Sequence, residues 1–222
     1  MCDFSHIPAM ARRRLGPLAK LAVAVADTVL AQASQADIPI VWASRYGDAD
    51  KTAGMMQSQA AGESLSPTAF GLSVHNGIGA QHSILRGTRS NAVCVAASHG
   101  VAEAGVMEAL GLLSDGAPEV MLVCYDAPLP EPYDRFHDEP QPSYAWAALL
   151  ALAAPGEPGF MLRALPEPSE DEGVARNGGS ALPRGLQALR FLLNPNQRSL
   201  AGPCAASGRP GAGGWLWERS HG

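Results

Sequence analysis

The sequence contains little of what marks several common protein classes. Aromatic residues make up 6% and charged residues 17% of its 222 positions, and the net charge is −5. It has no excess of basic residues, so it lacks the electrostatic surface that nucleic-acid binding requires. No apolar run approaches the ~20 residues that a membrane-spanning helix needs. We therefore expect neither a nucleic-acid-binding protein nor a membrane protein.

Cysteine is also sparse, and its placement argues against a metal centre. The four cysteines are Cys2, Cys94, Cys124 and Cys204, with no Cys-x-x-Cys pair or Cys/His zinc spacing. Cys94 and Cys124 lie in apolar runs, where reduced thiols are ordinary core residues. The Gly77-Ile78-Gly79 segment lacks the preceding strand and third glycine of a dinucleotide fingerprint. The sequence therefore predicts no metal, no cofactor and a cytoplasmic location.

Two groups of polar residues are candidates for metal binding, and neither has a suitable pattern. His75 and His82 are seven residues apart, whereas metal-binding histidine pairs on a helix favour a spacing of four. The second group lies in a proline-rich segment and consists of Asp134, His137, Asp138 and Glu139. Such a segment is typical of a solvated polar loop, so we predict no metal site in either group.

The amino-terminal region resembles a signal peptide in one respect, because Arg12–Arg14 precedes an apolar segment. However, Lys20 and Asp27 interrupt that segment. Apolar residues recur in it at helical spacing, at Leu18, Leu21, Val25 and Val29. The pattern favours an amphipathic helix over residues 12–35.

Short apolar runs bounded by turn residues predict an α/β fold. Buried strands are predicted at 38–44, 91–97 and 119–125, and helices at 48–60, 69–85 and 100–113. A strand–helix–strand order over 91–125 indicates a parallel crossover in a layered sheet. We expect the helix at 100–113 to contact that sheet through Val106, Leu110 and Leu113, and to end at Asp115-Gly116.

The rest of the sequence predicts a domain over residues 1–164, followed by a linker, short helix and low-complexity tail over 165–222. Residues 126–143 are proline-rich and indicate a surface loop. One or two edge strands are expected within 144–154 and 160–163. Residues 165–181 are predicted to be a linker, 184–193 a helix, 201–214 a poorly ordered segment, and 214–219 a strand or docked tail.

Residues 66–126 carry a family resemblance. The segment aligns without gaps with the nucleophile-bearing segment of β-ketoacyl synthases, with matching positions at Ser66-Pro67, Asn76, Gly87 and Asp115-Gly116. Three segments are similar to stand-alone β-ketoacyl-synthase-like N-terminal domains of aryl-polyene-type pathways, which are described as chain-length-factor-like. The segments are DIPIVWASRYGD, LSPTAFGLSVHNGIGAQHSI and VMLVCYDAPLPEPY. The resemblance covers residues 15–152. It implies a partial thiolase-like fold with a mostly parallel sheet, from which the usual first strand is missing.

The same resemblance places the nucleophilic cysteine of an active synthase at His99. Imidazole is not a competent acyl carrier in that reaction, and the histidine motifs of the family's second half are absent from the sequence. The resemblance therefore implies a non-catalytic accessory protein that pairs with an active ketosynthase. An acyl carrier protein, which would contact Arg12–Arg14, and a second copy of the chain are further possible partners.

The resemblance also implies an interface, because in thiolase-like dimers the strand before the nucleophile pairs across the two-fold axis. Here that strand is 91–97. The predicted interface residues are Asn76, Gly77, Gly79, Ala80, Val93 and Val95.

Two other hypotheses remain open. One is an acyltransferase or thioesterase that uses Ser98 with His99, or Cys94, as its reactive groups. Adjacent residues such as Ser98 and His99 seldom face each other, and no third orienting group can be identified. The other is a relic chain without a stable fold.

Overall fold

A computed structural model describes residues 7–165, 180–202 and 214–220, apart from the side chain of Ala11. The helices are α1 (Ala9–Arg14), α2 (Pro17–Leu30), α3 (Ala49–Ala60), α4 (Pro67–Ser73), α5 (Gly77–Arg86), α6 (Val101–Ser114) and α7 (Arg184–Leu193). The strands are β1 (Ile40–Ala43), β2 (Ala92–Val95), β3 (Val120–Asp126), β4 (Tyr144–Leu150), β5 (Gly159–Leu165), β6 (Ser199–Gly202) and β7 (Gly214–Ser220).

The first sheet has the strand order β2-β1-β3-β4. β1 is parallel to both β2 and β3, and β4 is antiparallel to β3. All of β1 and six of the seven residues of β3 are buried, as expected for central strands covered on both faces. The prediction that the three apolar runs lie side by side in one mostly parallel sheet is confirmed.

Side chains of β3 alternate between two apolar layers, because successive residues of a strand point to opposite faces. Val120, Leu122 and Cys124 face a core that also contains residues of α6, α7 and β7. Met121, Val123 and Tyr125 face a second core, built with α2 and α5. The first sheet is therefore the middle layer of the molecule.

Helix α6 contacts the first sheet as predicted. Val106 and Leu113 are buried in the core, and Leu110 contacts it from a partly buried position. The close approach depends on Gly105, because a Cβ atom there would lie 2.6 Å from Leu122 Cδ1 and 3.0 Å from Ala43 Cβ. The helix ends at Ser114, beside the predicted Asp115-Gly116 stop.

The second sheet has the order β5-β7-β6, with antiparallel pairing throughout. The boundary predicted at residue 164 falls inside β5. The predicted helix at 184–193 is confirmed as α7, and its Ala188 and Phe191 are fully buried in the core that α6 shares. Arg219 of β7 donates hydrogen bonds to the carbonyl groups of Phe191 and Asn194 at 3.1 and 3.0 Å, which satisfies the end of α7.

Two helices were predicted to be longer than the structure shows. The one at 12–35 is split between α1 and α2 by Gly16, whose extended backbone precedes Pro17 at the first position of α2, and it ends at Leu30. The one at 69–85 is split between α4 and α5, because Val74 has an extended backbone. The predicted loop at 126–143 also contains a 3₁₀ turn at Tyr133–Phe136. Most of the predicted linker and low-complexity segment, at 166–179 and 203–213, lies outside the described residues.

Candidate functional site at the strand-to-helix elbow

The elbow between β2 and α6 has the geometry that the sequence predicts. Ser98 is exposed, the His99 side chain is 24% exposed, and Gly100 precedes the first residue of α6. Gly100 has φ +69°, a left-handed conformation that favours glycine, and a Cβ there would lie 2.9 Å from Trp215 Cδ1. The chain therefore turns sharply at Gly100 and holds His99 at the amino-terminal end of α6.

The environment of His99 favours a neutral imidazole. Partial burial lowers its pKa, and the nearby guanidinium of Arg184 lowers it further. Asp138 opposes this effect, with its Oδ2 atom 3.8 Å from His99 Nδ1. No hydrogen bond joins Ser98 to His99 within the described residues. The geometry therefore provides no serine–histidine pair of the kind that hydrolases use.

A charged network surrounds His99 and links three loops. Arg45, which follows β1, binds both carboxylate oxygens of Asp138 at 2.5 and 3.1 Å, and its side chain is 13% exposed. Glu139 accepts a 2.9 Å hydrogen bond from the backbone amide of Arg184 at the start of α7. The bidentate pairing of Arg45 with Asp138 fixes the relative orientation of the two side chains and also pairs their charges. The network holds the loop at 138–139 against the elbow.

Asp126 lies at the same end of the sheet, as the last residue of β3. Its carboxylate accepts hydrogen bonds from Ser44 Oγ at 2.8 Å, from the amides of Arg45 and Tyr46 at 2.9 and 3.2 Å, and from the Tyr144 hydroxyl at 3.3 Å. Burial raises the pKa of Asp126, and these hydrogen bonds oppose that rise. The residue therefore joins the ends of β1, β3 and β4 at the sheet edge where β2 also ends.

Glu103 is a buried acid in the first turn of α6. Its Oε1 atom accepts a 2.8 Å hydrogen bond from Trp217 Nε1, and Oε2 has no partner among the described residues. Burial raises its pKa, which favours the protonated carboxyl. Glu103, Arg184 and Trp215 line a cavity of about 20 Å³. That volume suits a single water molecule and is too small for an acyl chain.

The described cysteines are poor nucleophiles. Cys94 lies in β2, and burial raises the pKa of its thiol to about 11. Cys124 is fully buried in β3, and burial raises its pKa well above the ordinary value. Since the thiolate is the reactive form, neither environment activates cysteine. Cys2 and Cys204 lie outside the described residues.

Comparison with known proteins identifies the family of this fold. Residues 1–218 match the family described as β-ketoacyl synthase, N-terminal domain. The chain belongs to that family. It is also similar to a chain of the solved structure of the ketosynthase ApeO in complex with its chain length factor ApeC from Xenorhabdus doucetiae. The sequence identity is 26% and the TM-score 0.77, and the match covers 99% of this chain and 83% of the other.

This similarity confirms the predicted thiolase-like α/β fold of the ketosynthase-like domain. No curated protein matches the chain. Within the described residues, no helix is both long and apolar enough to cross a bilayer.

Strand β2 of the ketosynthase-like domain lies at an edge of the first sheet, where β1 is its one pairing partner among the described strands. Ala92 is exposed, and Val93, Cys94 and Val95 are partly exposed, unlike the fully buried residues of β1. An unpaired edge of this kind is a ready template for another strand. The predicted interface strand is therefore accessible.

The other predicted interface residues divide between two sides of α5. Gly79 faces inward, because a Cβ there would lie 2.8 Å from Trp42 Cδ1, and Gly77 is buried against Leu72. Asn76 and Ala80 are exposed. Gly79 allows α5 to approach Trp42 of β1, Gly77 fits against the backbone of α4, and Ala80 is left exposed.

The structure does not bring the candidate metal residues together. His75 contacts the carbonyl of Ser44 at 2.9 Å, and His82 lies buried 3.3 Å from Asp27 and against the Trp42 ring. No group of three potential metal-binding side chains occurs in the described part of the chain.

The sequence interpretation missed Arg45, Arg184, Glu103 and Asp126. For two of them the sequence position was an available signal, since Arg45 and Asp126 directly follow the predicted strands at 38–44 and 119–125.

Proposed function

We propose that this chain is a non-catalytic, chain-length-factor-like subunit that pairs with an active β-ketoacyl synthase. The observation that carries the proposal is His99 at the elbow, where the family resemblance places the nucleophilic cysteine. We place the pair in fatty-acid or polyketide-type synthesis, and the resemblance of three sequence segments favours an aryl-polyene-type pathway.

The chemistry of condensation supports this assignment. An acyl-enzyme intermediate needs an activated nucleophile within reach of hydrogen-bond donors that stabilise the oxyanion. Partial burial lowers the pKa of His99, which favours its neutral form beside Asp138, while burial raises the pKa values of Cys94 and Cys124. Ser98 has no activating base bonded to it within the described residues. None of these groups meets the requirement.

Partner pairing is supported by the free edge of β2 and by a similar chain found in a complex of a ketosynthase with its chain length factor. Strand addition at such an edge supplies backbone hydrogen bonds, and the side chains beside it supply specificity. A ketosynthase partner would provide the nucleophilic cysteine, in whose place this chain has His99.

The first prediction concerns activity. Incubating the purified chain with acyl- and malonyl-carrier protein should yield no ketoacyl product by mass spectrometry. A cysteine- or serine-directed acyl probe should label neither Cys94 nor Ser98. Addition of the active ketosynthase should give product, which serves as the positive control. Condensation by the chain alone would overturn the non-catalytic assignment, and labelling of Ser98 would favour the acyltransferase or thioesterase alternative.

The second prediction concerns association through β2 and α5. Replacing Ala80 with arginine, or Val93 with lysine, should weaken binding to the ketosynthase at least about tenfold, since a charge would enter an apolar interface. The matched control is Ala151→Arg, an exposed alanine just beyond β4 at the opposite edge of the sheet. Size-exclusion chromatography with light scattering measures the complex. Equal binding by all three variants would rule out this interface.

A further inference from the structure

Glu103 connects two parts of the fold that are far apart in the sequence. It lies in the first turn of α6, and its Oε1 atom accepts a 2.8 Å hydrogen bond from Trp217 Nε1. Glu103 is 4% exposed and Trp217 is 2% exposed. Trp217 belongs to β7, the central strand of the second sheet. This hydrogen bond therefore fixes the middle of the second sheet to the helix that begins at the elbow.

The other carboxyl oxygen of Glu103 has a different environment. Oε2 has no partner among the described residues, and Glu103 lines the cavity of about 20 Å³ together with Arg184, Gln187 and Trp215. A polar cavity of this size holds one water molecule, which needs two to four polar partners. A protonated carboxyl can donate to that water while Oε1 keeps its bond to Trp217. The surroundings of Glu103 therefore suit the neutral acid.

A charged Glu103 would lack a pairing cation. Within the described residues no ion pair joins it to Arg184, whose Nε atom lies 3.8 Å from Glu139 instead. Burial raises the pKa of Glu103; the hydrogen bond from Trp217 and the charge of Arg184 oppose this rise, and the charge of Glu139 adds to it. Cys124 of β3 also faces Glu103, and its thiol stays neutral because burial raises its pKa. The residues of β6 that line the cavity do not titrate.

Movement of β7 would reach the elbow through α7. At the end of this helix, Arg219 of β7 donates a 3.1 Å hydrogen bond to the carbonyl of Phe191. At its start, the backbone amide of Arg184 donates to Glu139, in the loop that lies against His99. The contact between Glu103 and β7 therefore also supports the charged network around His99.

We propose that Glu103 is a proton-controlled latch that holds the second sheet and α7 against α6. With its proton, the carboxyl binds Trp217 and the water in the cavity, and the second sheet is fixed. When the proton leaves to solvent, separation of β7 from α6 admits water to the buried carboxylate. The latch belongs to this chain alone and does not depend on the proposed function.

The direction of the pH dependence follows from the raised pKa of Glu103. In the unfolded chain a glutamate loses its proton near a pKa of about 4.3, whereas the folded chain keeps this proton to higher pH. The stabilisation by the latch is therefore fully present below the unfolded pKa. It is lost as the pH rises through the raised pKa of the folded state.

Hydrogen exchange of backbone amides in the purified chain, corrected for the intrinsic effect of pH, measures the latch. Between about pH 5 and about pH 8, protection of β7 should fall about tenfold more than protection of β1, the order expected when a buried acid gains its charge. Glu103→Gln keeps an acceptor for Trp217 and cannot ionise. Its β7 protection should change less than about twofold over this range and exceed that of the unmodified chain at the upper pH. The matched control is Glu108→Gln, exposed on the same helix, which should follow the unmodified chain.

Three results would overturn the latch. Constant protection of β7 in the unmodified chain would show that Glu103 does not control the second sheet, whether or not either variant folds. Parallel loss of protection in β1 and β7 would show that the whole domain opens. Equal pH dependence in Glu103→Gln and the unmodified chain would assign the effect to another acid, such as Asp126, whose pKa is also raised by burial.

Discussion

Replacing Asp126 with alanine should lower the free energy of unfolding by about 3–5 kcal/mol, a range typical of removing one partner from a buried charged group. The Asp126 carboxylate is the common acceptor for Ser44, for the backbone amides of Arg45 and Tyr46, and for Tyr144. Each buried donor that loses its acceptor costs about 1–3 kcal/mol. In this variant the ends of β1, β3 and β4 would lose the carboxylate to which all three are joined.

Chemical denaturation of the purified variant measures this change. The matched control is Asp134→Ala, an exposed aspartate in the 3₁₀ turn, which should change stability by less than about 0.5 kcal/mol. Because Asp126 also fixes the amide of Arg45, the Asp126 variant should loosen the Arg45–Asp138 pair beside His99. Equal stability of the two variants would contradict the anchoring role of Asp126.

Replacing Gly105 with valine should cost about 3 kcal/mol, at the upper end for overpacking a core. The new Cβ would meet Leu122 Cδ1 at 2.6 Å and Ala43 Cβ at 3.0 Å, so α6 would be pushed away from β1 and β3. Ala43 cannot yield because its methyl group is fixed to the central strand. Thermal and denaturant unfolding measure the loss.

Gly111 provides the control on the same helix. A Cβ at Gly111 would meet nothing within 4 Å, so Gly111→Ala should stabilise α6 by up to about 1 kcal/mol through helix propensity alone. Opposite signs for Gly105→Val and Gly111→Ala are the expected result. Stabilisation by both would show that α6 does not lie against β1 and β3 as described.

The sheet could be predicted from the sequence because its signals are local. The segments at 38–44 and 119–125 are short apolar runs bounded by turn residues, and they contain the central strands β1 and β3. The helix at 184–193 was predicted with its observed bounds. The errors at 12–35 and 69–85 came from treating apolar periodicity as continuous across Gly16-Pro17 and Val74, where the backbone is extended.

The electrostatics of the site could not be predicted in the same way. Arg45 and Asp138 are 93 residues apart in sequence, and Glu103 and Trp217 are 114 apart. No periodicity or spacing rule joins such residues, because their contact depends on the completed topology. The position of His99 was predictable only because the family resemblance fixes the elbow.

The position of β7 in the second sheet has a consequence for how the chain is made. β7 lies between β5 and β6, although both are earlier in the sequence. During synthesis, β5 and β6 leave the ribosome before the strand that joins them exists. Domains generally fold as units. The second sheet, and with it the bond from Arg219 that satisfies the end of α7, can therefore be completed only after β7 has emerged.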